Sequence, residues 1–311
     1  MRIGMIGLGR MGGNMARRLA RHGFSVHGFS LDPAGDLASE PGVMVRNRLD
    51  DVLAALTPPR TVWLMVPAGP PSEDNVRALA ERLAPGDVII DGGNAHYRDS
   101  QRRARLLADQ GIHFVDAGVS GGVWGLTEGY GLMLGGERAV IDSLLPVVRA
   151  LAPSADRGWV YCGPSGAGHF TKMVHNGIEY GLMQAYAEGF ALLGAKRELS
   201  LPLGEIAEAW RHGTVIRSWL LDLAAGVLRN DASLSDVAAS VADSGEGRWT
   251  AQEAIDLGVP TPAISAALMA RFASQGRGDF TSRLLAKLRN AFGGHAVQPS
   301  HVESRTHVTP K

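Results

Sequence analysis

The sequence opens on three glycines at a spacing that few local structures can use. In "MIGLGRMGGNMARRL", Gly7, Gly9 and Gly12 follow a short apolar run and precede an amphipathic one. Glycines at this spacing permit a tight strand-to-helix turn, close approach of the backbone to a pyrophosphate, and close packing of the helix. The helix N-terminus attracts the phosphate charge. The pattern predicts a dinucleotide-binding unit; the alternative is a plain strand-to-helix turn.

Composition limits the classes of function. The 311 residues suffice for two ordinary domains, and 31 basic residues balance 31 acidic ones. This balance gives no reason to expect binding to nucleic acid or an acidic membrane surface. No apolar run approaches the roughly 20 residues that span a bilayer, and no signal peptide precedes the glycines. The single cysteine, Cys162, fits a reducing compartment, so we expect a cytoplasmic protein without membrane segments.

The first half alternates short β-branched runs with amphipathic stretches, as in "RIGMIGLG", "FSVHGFS", "TVWLMVPAG", "DVIIDGGN" and "IHFVDAG". Alternation of strands and helices predicts a parallel sheet covered on both faces. Gly23, Gly86 and Gly111 stand where a left-handed residue closes a helix. We therefore expect a Rossmann-type α/β domain over residues 1–162.

From about Gly163 the apolar positions recur at helical spacing, first in the long run "HFTKMVHNGIEYGLMQAYAEGFALLGAK". Further helices are predicted in "IAEAWRHGTVIRSWLLDLAAGVL", "LSDVAASVADS", "PAISAALMARFAS" and "TSRLLAKLRNAFGG". The pattern indicates an all-α domain over residues 163–296, and the family resemblance described below implies that this domain binds substrate and forms the dimer. Residues 297–311 are expected to form a flexible tail.

The stretch "KMVHNGIEYG" concentrates polar side chains on the long predicted helix. Lys172, Asn176 and Glu179 fall at i, i+4 and i+7, so they share one stripe, with His175 and Tyr180 beside it. A partly desolvated lysine can act as a general base, and a glutamate nearby can act as an acid. The alternative is a surface salt bridge, which is the common role of such a pair.

Two glycines within this stretch favour the functional interpretation. Gly177 and Gly181 each cost about 1 kcal/mol relative to alanine inside a helix unless close approach is required. We therefore expect another part of the molecule or a ligand to be pressed against the helix at both positions.

With these motifs the chain resembles a known family, the decarboxylating 6-phosphogluconate dehydrogenases in their short form, within the β-hydroxyacid dehydrogenase superfamily. The resemblance covers nearly the whole chain. It rests on "GLGRMGGNMARRL", "DGGNAHYRDS", "DAGVSGGVWGLTEGYGLMLGG", "GAGHFTKMVHNGIEYGLMQAYAEGF", "GEGRWT" and "RNAFGGH".

The resemblance implies oxidative decarboxylation of 6-phosphogluconate to ribulose 5-phosphate and CO2. Lys172 matches the general base that takes the C3 hydroxyl proton as hydride leaves C3. Glu179 matches the acid that protonates the enediol at C1, and Asn176 is grouped with them as catalytic. No metal is implied.

The resemblance also implies binding residues. Those for the substrate are Asn94, Ser120, Gly121, Gly122, His175, Tyr180, Arg248, Thr250, Arg271, Arg289 and His295. Those for the cofactor are Gly7, Leu8, Gly9, Arg10, Met11, Gly12, Ser30, Val66, Pro67 and Asn94. The phosphate pocket is matched by Tyr180, Arg248, Thr250 and Arg271. Arg289 and His295 match an arginine and a histidine that reach in from a partner subunit, so a homodimer or homotetramer is expected.

The segment "HGFSLDP", which is expected to select the hydride acceptor, departs from the family pattern. NAD-using short forms carry an aspartate at the position of Ser30, and NADP-using forms carry an Asn-Arg-Thr type sequence over Ser30, Leu31 and Asp32. An acid would hold the ribose hydroxyls and an arginine the 2′-phosphate. The cofactor is therefore expected to be NAD or NADP, with the deazaflavin F420 as an alternative because it has no adenosine ribose to select.

Two other functions stay open on the sequence. A β-hydroxyacid dehydrogenase for an unphosphorylated acid would use the same base and cofactor loop without a phosphate pocket. A non-catalytic redox-sensing binding protein would keep the two domains, but intact Lys172, Asn176 and Glu179 argue against it.

Overall fold

A computed structural model describes residues 1–31, 35–293 and 296–298 of the protein. An eight-stranded sheet organises the first part of the chain, with the strand order β3-β2-β1-β4-β5-β6-β7-β8. The strands are β1 (Arg2–Ile6), β2 (Ser25–Phe29), β3 (Val43–Arg46), β4 (Thr61–Leu64), β5 (Val88–Asp91), β6 (His113–Ser120), β7 (Gly131–Gly135) and β8 (Trp159–Gly163).

The expected parallel sheet is wrong for one pair of strands. Strands β1 to β6 run parallel, and β7 pairs with β8 in parallel, but β6 and β7 are antiparallel. A parallel pair requires a crossover of a dozen or more residues, and the connection between Ser120 and Gly131 is shorter than that. The chain therefore turns back beside β6.

Helices cover the sheet on both faces. They are α1 (Arg10–Arg21), α2 (Leu49–Ala55), α3 (Pro70–Ala80), α4 (Tyr97–Ala108), α5 (Gly125–Glu128) and α6 (Arg138–Leu151), with short 3-10 helices at Gly35–Ser39 and Gly122–Trp124. Because side chains alternate along a strand, Met5 enters one buried apolar cluster and Ile6 the other. Gly23, Gly86 and Gly111 take the left-handed conformation after their helices, as predicted.

The long helix predicted after Gly163 is α7 (Ala167–Ala195). The first compact unit comprises Met1–Glu179 together with Glu246–Leu257, a segment that forms α10. The boundary between residues 162 and 163, drawn from the change in sequence pattern, stays a prediction.

The second compact unit is helical in its described residues, which belong to Tyr180–Gly245 and Gly258–Lys311. Its elements after α7 are a 3-10 turn (Arg197–Leu199), α8 (Leu203–Trp210), α9 (Trp219–Asn230), α11 (Pro262–Ser274) and α12 (Asp279–Gly293). Phe190, Ala207, Leu221, Ala225 and Leu228 form its buried core. The sequence predicts one helical stretch over residues 206–228, but the structure forms two helices there. Gly213, with a φ of +73°, follows the first helix, and the Ser218 hydroxyl caps α9 by accepting from the Leu221 N–H.

The helix predicted in "LSDVAASVADS" is wrong, since residues 234–244 contain no helix. The Asp231 carboxylate accepts from the Ser233 N–H at 2.8 Å, and Leu234 has a φ of +51°. Short polar side chains compete for backbone groups in this way and favour turns. Of the predicted tail at residues 297–311, all but 297 and 298 lies outside the described residues.

Within the part of the chain that the structure describes, no helix combines the length and apolar character needed to cross a membrane. The same residues contain no cluster of three or more His, Cys, Asp or Glu side chains placed to hold a metal ion.

A buried ionic network joins β5 to α3 and α4. The Arg103 guanidinium, 1% exposed, donates to the fully buried Asp91 carboxylate at 2.5 Å and to Glu73 Oε1 at 2.7 Å. The second Asp91 oxygen accepts from the Gly93 N–H at 3.0 Å. The hydrogen bond from Arg102, with further contributions from Arg103, lowers the pKa of Glu73 to about 2. The network fixes the loop after β5.

The Glu73 carboxylate should stabilise the fold in a defined pH range. Because its pKa is lowered on folding, the stabilisation is complete above the unfolded value of 4.5 and is lost as the pH falls towards about 2. We expect Glu73→Gln to lower the free energy of unfolding by on the order of 2 kcal/mol at pH 7, after allowance for solvent screening. Urea denaturation at several pH values measures the difference from the native protein.

Glu81→Gln is the matched control, because the Glu81 side chain is 66% exposed and pairs at the surface. Its effect should be small at every pH. A Glu73→Gln difference that stays constant down to pH 3 would contradict the assignment.

Candidate functional site

The three glycines of the first loop serve three different purposes. Gly7 has a φ of +90°, and a Cβ there would overlap the Met65 carbonyl. A Cβ at Gly12 would overlap the Gly7 carbonyl, so α1 could not approach the turn. A Cβ at Gly9 would meet no described atom within 4 Å, which leaves the backbone open for a ligand. The loop therefore fits a pyrophosphate at the N-terminus of α1.

The remaining residues of the loop support this reading. Gly9 caps α1 without a side chain, and the first turn contains no acid that would repel an anion. Leu8 is buried beneath Gly28, Met11 is half-buried, and Arg10 is exposed. The loop edge is thus formed by backbone groups and one exposed cation.

Val66 and Pro67 follow the adjacent strand β4, whose end is tied to β1 because the Met65 N–H donates to the Ile6 carbonyl at 2.7 Å. The Pro67 carbonyl accepts from the Ser72 hydroxyl at 3.0 Å. These residues therefore stand at the carboxyl ends of the strands, where ligands bind in open α/β sheets.

The acceptor-selecting segment lies at the end of β2. Ser30 follows the strand directly and is half-buried, while Leu31 is 94% exposed. Asp32 lies outside the described residues. The two described side chains present one hydroxyl and no charge to a ribose.

The start of α7 is held on the sheet by one carboxylate. Asp116 on β6 is fully buried, and its two oxygens accept from the Gly166 N–H at 2.6 Å and the His169 N–H at 2.8 Å. These bonds satisfy backbone donors at the helix N-terminus, which otherwise have no partner. Asp116 was not predicted as a site residue, since its role depends on contacts that the sequence does not show.

Glycines bring α7 close to β6 and β7. A Cβ at Gly118 would overlap the Lys172 Cβ, and a Cβ at Gly168 would overlap the Met133 carbonyl. At Gly135, a Cβ would lie 2.6 Å from Asp116 Oδ1. The second turn of α7 is therefore pressed directly against strand β6, and Lys172 is buried there.

Helix α7 brings the predicted proton-transfer residues together. Lys172 and Asn176 are each 8% exposed, while the side chains of His175 and Glu179 are each 40% exposed. The His175 Nδ1 lies 3.4 Å from Lys172 Nζ, 3.1 Å from Asn176 Oδ1 and 3.9 Å from Glu179 Oε2. Lys172, Asn176 and Glu179 thus belong to one polar group and not to a solvated stripe.

Burial is the main influence on the lysine. It lowers the pKa of Lys172, while the negative charges of Glu179 and Glu246 oppose that shift. A lowered pKa enriches the neutral amine near physiological pH, which is the form that accepts a proton.

Helix α10 packs its first turn against α7. The Thr250 hydroxyl lies 2.8 Å from both the Met173 and the Glu246 carbonyls. A Cβ at Gly177 would lie 2.7 Å from Thr250 Cγ2, so close approach explains this glycine, as expected. At Gly181 a Cβ would meet no described atom within 4 Å, so no described part of the chain is pressed against the helix there, and close approach of a ligand stays a prediction.

Glu246 is a site residue that sequence reasoning missed. It is only 4% exposed, and the exposed Asn94 side chain donates to it from Nδ2. Glu246 belongs to the motif "GEGRWT", which could have indicated it. The segment is not predicted as a helix from the sequence, and only its Arg248 and Thr250 are predicted as site residues.

The predicted Ser120, Gly121 and Gly122 follow one another at the end of β6. Ser120 shares the strand face of Gly118, because side chains alternate along a strand. Gly121 and Gly122 have φ values of +129° and +53°, which an L side chain rarely adopts. This turn offers a hydroxyl and backbone N–H groups of the kind that bind anions.

The other predicted substrate residues are dispersed along the chain. Arg248 is exposed on α10 in the first unit. In the second unit the Arg271 guanidinium stacks 3.4 Å from the ring centre of the buried Tyr180, and the Tyr180 hydroxyl lies 3.3 Å from the Ser244 hydroxyl. Arg289 is exposed on α12, and His295 lies outside the described residues.

Fold and site together define a dehydrogenase with a Rossmann-type cofactor domain and a helical second domain. Residues 2–163 match the NAD binding domain of 6-phosphogluconate dehydrogenase, and residues 168–295 match the C-terminal domain of 6-phosphogluconate dehydrogenase. The chain belongs to the 6-phosphogluconate dehydrogenase family.

The names of similar proteins agree with this family assignment. The NAD(+)-dependent, decarboxylating 6-phosphogluconate dehydrogenase of Haloferax volcanii is 42% identical over 299 residues, covering 96% of this chain and 98% of that protein. The NADP(+)-dependent, decarboxylating enzyme of Bacillus subtilis is 37% identical, covering 88% and 61% respectively. A Plasmodium falciparum 6-phosphogluconate dehydrogenase structure, described with NADP+ and 6-phosphogluconate, matches with a TM-score of 0.80 at 29% identity, over 96% of this chain and 67% of that one.

The two glycines of α7 should respond in opposite ways to alanine. Gly177→Ala forces Thr250 away from α7 and should lower the free energy of unfolding by about 1–3 kcal/mol. Gly181→Ala, one turn further on, adds a methyl group to open space and should raise it by up to about 1 kcal/mol. Chemical denaturation of the two variants measures both values, and equal effects of the same sign would contradict this packing.

Proposed function

We propose that this protein oxidises 6-phosphogluconate at C3 and decarboxylates it to ribulose 5-phosphate and CO2. The observation that carries the proposal is the buried Lys172 beside Asn176 and Glu179, on a helix held against the sheet whose first loop fits a pyrophosphate. The names of the relatives, at about 40% identity over nearly the whole chain, support the same reaction.

The residues that would hold the cofactor are those of the first glycine loop, together with Val66 and Pro67 after β4 and Ser30 after β2. We infer a nicotinamide dinucleotide, because a family NAD binding domain spans the first half of the chain and relatives named for either NAD or NADP match it. When bound, this group supplies the carbon that accepts hydride. Ser30 and Leu31 supply neither the acid that selects NAD nor the arginine that selects NADP, so F420 stays the competing prediction.

Lys172 performs the first proton transfer in this proposal. Its neutral amine takes the C3 hydroxyl proton while the C3 hydrogen leaves as hydride, which converts the substrate to a 3-keto acid. The carboxylate now lies β to a ketone, so the bond between C1 and C2 can break with loss of CO2. The ammonium of Lys172 then returns its proton to the developing C3 oxyanion, giving an enediol.

Glu179 completes the reaction by protonating the enediol at the carbon that lost CO2, while the neutral Lys172 amine takes the proton of the C3 enol hydroxyl, so that the C3 carbonyl forms again. Lys172 then releases this proton to solvent. The Glu179 side chain is 40% exposed, so it can regain a proton from solvent after each turnover. His175 lies between the two groups, within 3.4 Å of Lys172 and 3.9 Å of Glu179, and would hold a substrate hydroxyl there. Asn94, Asn176 and the turn at Ser120 would hold the carboxylate and the remaining hydroxyls.

We assign the phosphate to Tyr180, Arg248, Thr250 and Arg271, which the family resemblance matches to the phosphate pocket. Guanidinium groups bind a phosphate dianion through strong, charge-assisted hydrogen bonds. Arg289 and His295 would complete the site from a second copy of the chain, so the active form is proposed to be a homodimer or homotetramer.

The direct test supplies purified protein with 6-phosphogluconate and, in separate reactions, NAD, NADP or F420. We expect release of CO2 and formation of ribulose 5-phosphate together with reduction of NAD or NADP. Lys172→Met should slow turnover by about 10²- to 10⁴-fold, the usual contribution of a general base. Reduction of F420 alone would replace the nicotinamide assignment, and release of no CO2 with any acceptor would overturn the proposed reaction.

The phosphate assignment is tested by Arg248→Ala and Arg271→Ala. Loss of a charge-assisted contact of about 1.5–3 kcal/mol should raise KM for 6-phosphogluconate by roughly 10- to 150-fold, with a smaller effect on kcat. Arg105→Ala, which removes a guanidinium bonded to the Gln101 carbonyl, is the control and should leave KM unchanged. If KM is also unchanged in both test variants, the alternative of an unphosphorylated hydroxy acid is favoured.

A further inference from the structure

Glu246 is a buried acid that the reaction described above does not use. It is the first residue of α10 and only 4% exposed, and acidic side chains are rarely buried without a specific role. The residue lies in the same compact unit as Lys172, and the Thr250 hydroxyl lies within hydrogen-bond distance of both the Glu246 carbonyl and the Met173 carbonyl on α7. Its position is therefore fixed beside the proton-transfer residues.

The Asn94 side chain is oriented by this acid. An ionised carboxylate can only accept hydrogen bonds, so Asn94 must turn its Nδ2 towards Glu246. The amide oxygen of Asn94 then remains as an acceptor for a bound molecule. Without the carboxylate, the amide could rotate and present the wrong group.

The negative charge of Glu246 also acts on Lys172, which lies in the same compact unit. Among the described residues, the titratable groups that act on the amine are His175 and Glu179 on its own helix and Glu246 on α10. On β6, the residue packed against Lys172 is the uncharged Gly118. The Asp116 carboxylate on the same strand accepts hydrogen bonds from the N-terminus of α7. Arg248 follows Glu246 by two positions on α10. Glu246 is thus an acid near the amine that comes from a different segment of the chain.

We propose that Glu246 is a positioning residue for this site: its carboxylate orients the Asn94 amide and sets the charge that the Lys172 amine experiences. This inference rests on the proposed function only in its predicted effect on kcat/KM. The negative charge opposes the effect of burial and keeps the pKa of Lys172 higher than burial alone would. Removing the charge should lower that pKa further and make the neutral base available at lower pH.

The test compares Glu246→Gln with Glu246→Ala. Glutamine keeps an oxygen that accepts from Asn94 but has no charge, so the acidic limb of the pH profile for kcat/KM should move to lower pH. Alanine removes the hydrogen bond as well, and kcat/KM should fall by about ten-fold or more relative to Glu246→Gln. Glu253→Gln is the matched control on the same helix, because Glu253 bonds to Tyr97. Its pH profile should coincide with that of the native protein.

A second readout does not depend on the reaction. The chain contains only four lysines, so ¹⁵N labelling of lysine gives few side-chain amine signals, and the one absent in Lys172→Met identifies Lys172. Its titration should shift to lower pH in Glu246→Gln and not in Glu253→Gln. If titration and pH profile in Glu246→Gln both match the native protein, the inference is overturned. If the native protein fails to oxidise 6-phosphogluconate while the amine titration shifts, only the proposed reaction fails.

Discussion

The pairing of the Asp116 carboxylate with the N-terminus of α7 is the interaction on which the rest of the site depends. It fixes the start of a 29-residue helix against β6, and every candidate proton-transfer residue is placed relative to that start. A buried acid is costly unless its oxygens are satisfied, and here two backbone N–H groups satisfy them.

Much of the arrangement followed from local pattern. The glycine loop was predicted because strand, turn and helix are adjacent in sequence, and the structure gives its glycines the distinct steric roles that the motif requires. The stripe formed by Lys172, Asn176 and Glu179 was predicted because helical spacing alone determines it. Gly177 was correctly expected to mark a close approach, although its partner, Thr250, was not identified.

The features that were not predicted depend on contacts between distant segments. Strand β7 turns back beside β6 because their connection is short, which the strand and helix alternation did not reveal. Glu246 is remote in sequence from Asn94, and its helix was not recognised. Gly181 lies one turn beyond Gly177 on the same helix, but a Cβ there would meet no described neighbour. The residues of "LSDVAASVADS" have helical spacing, yet their short polar side chains favour turns.

The glycines on which α7 rests also limit how the sequence can diverge. At Gly118 and Gly168 any other residue adds at least a Cβ, which would overlap Lys172 or the backbone of β7. At Gly181 and Gly189 the same atom would meet nothing within 4 Å among the described residues. Natural variants should therefore retain glycine at the first pair over long evolutionary times, whereas packing within the described residues does not require glycine at the second. The frequency of substitution at each glycine among related sequences would therefore indicate which parts of α7 pack against the sheet.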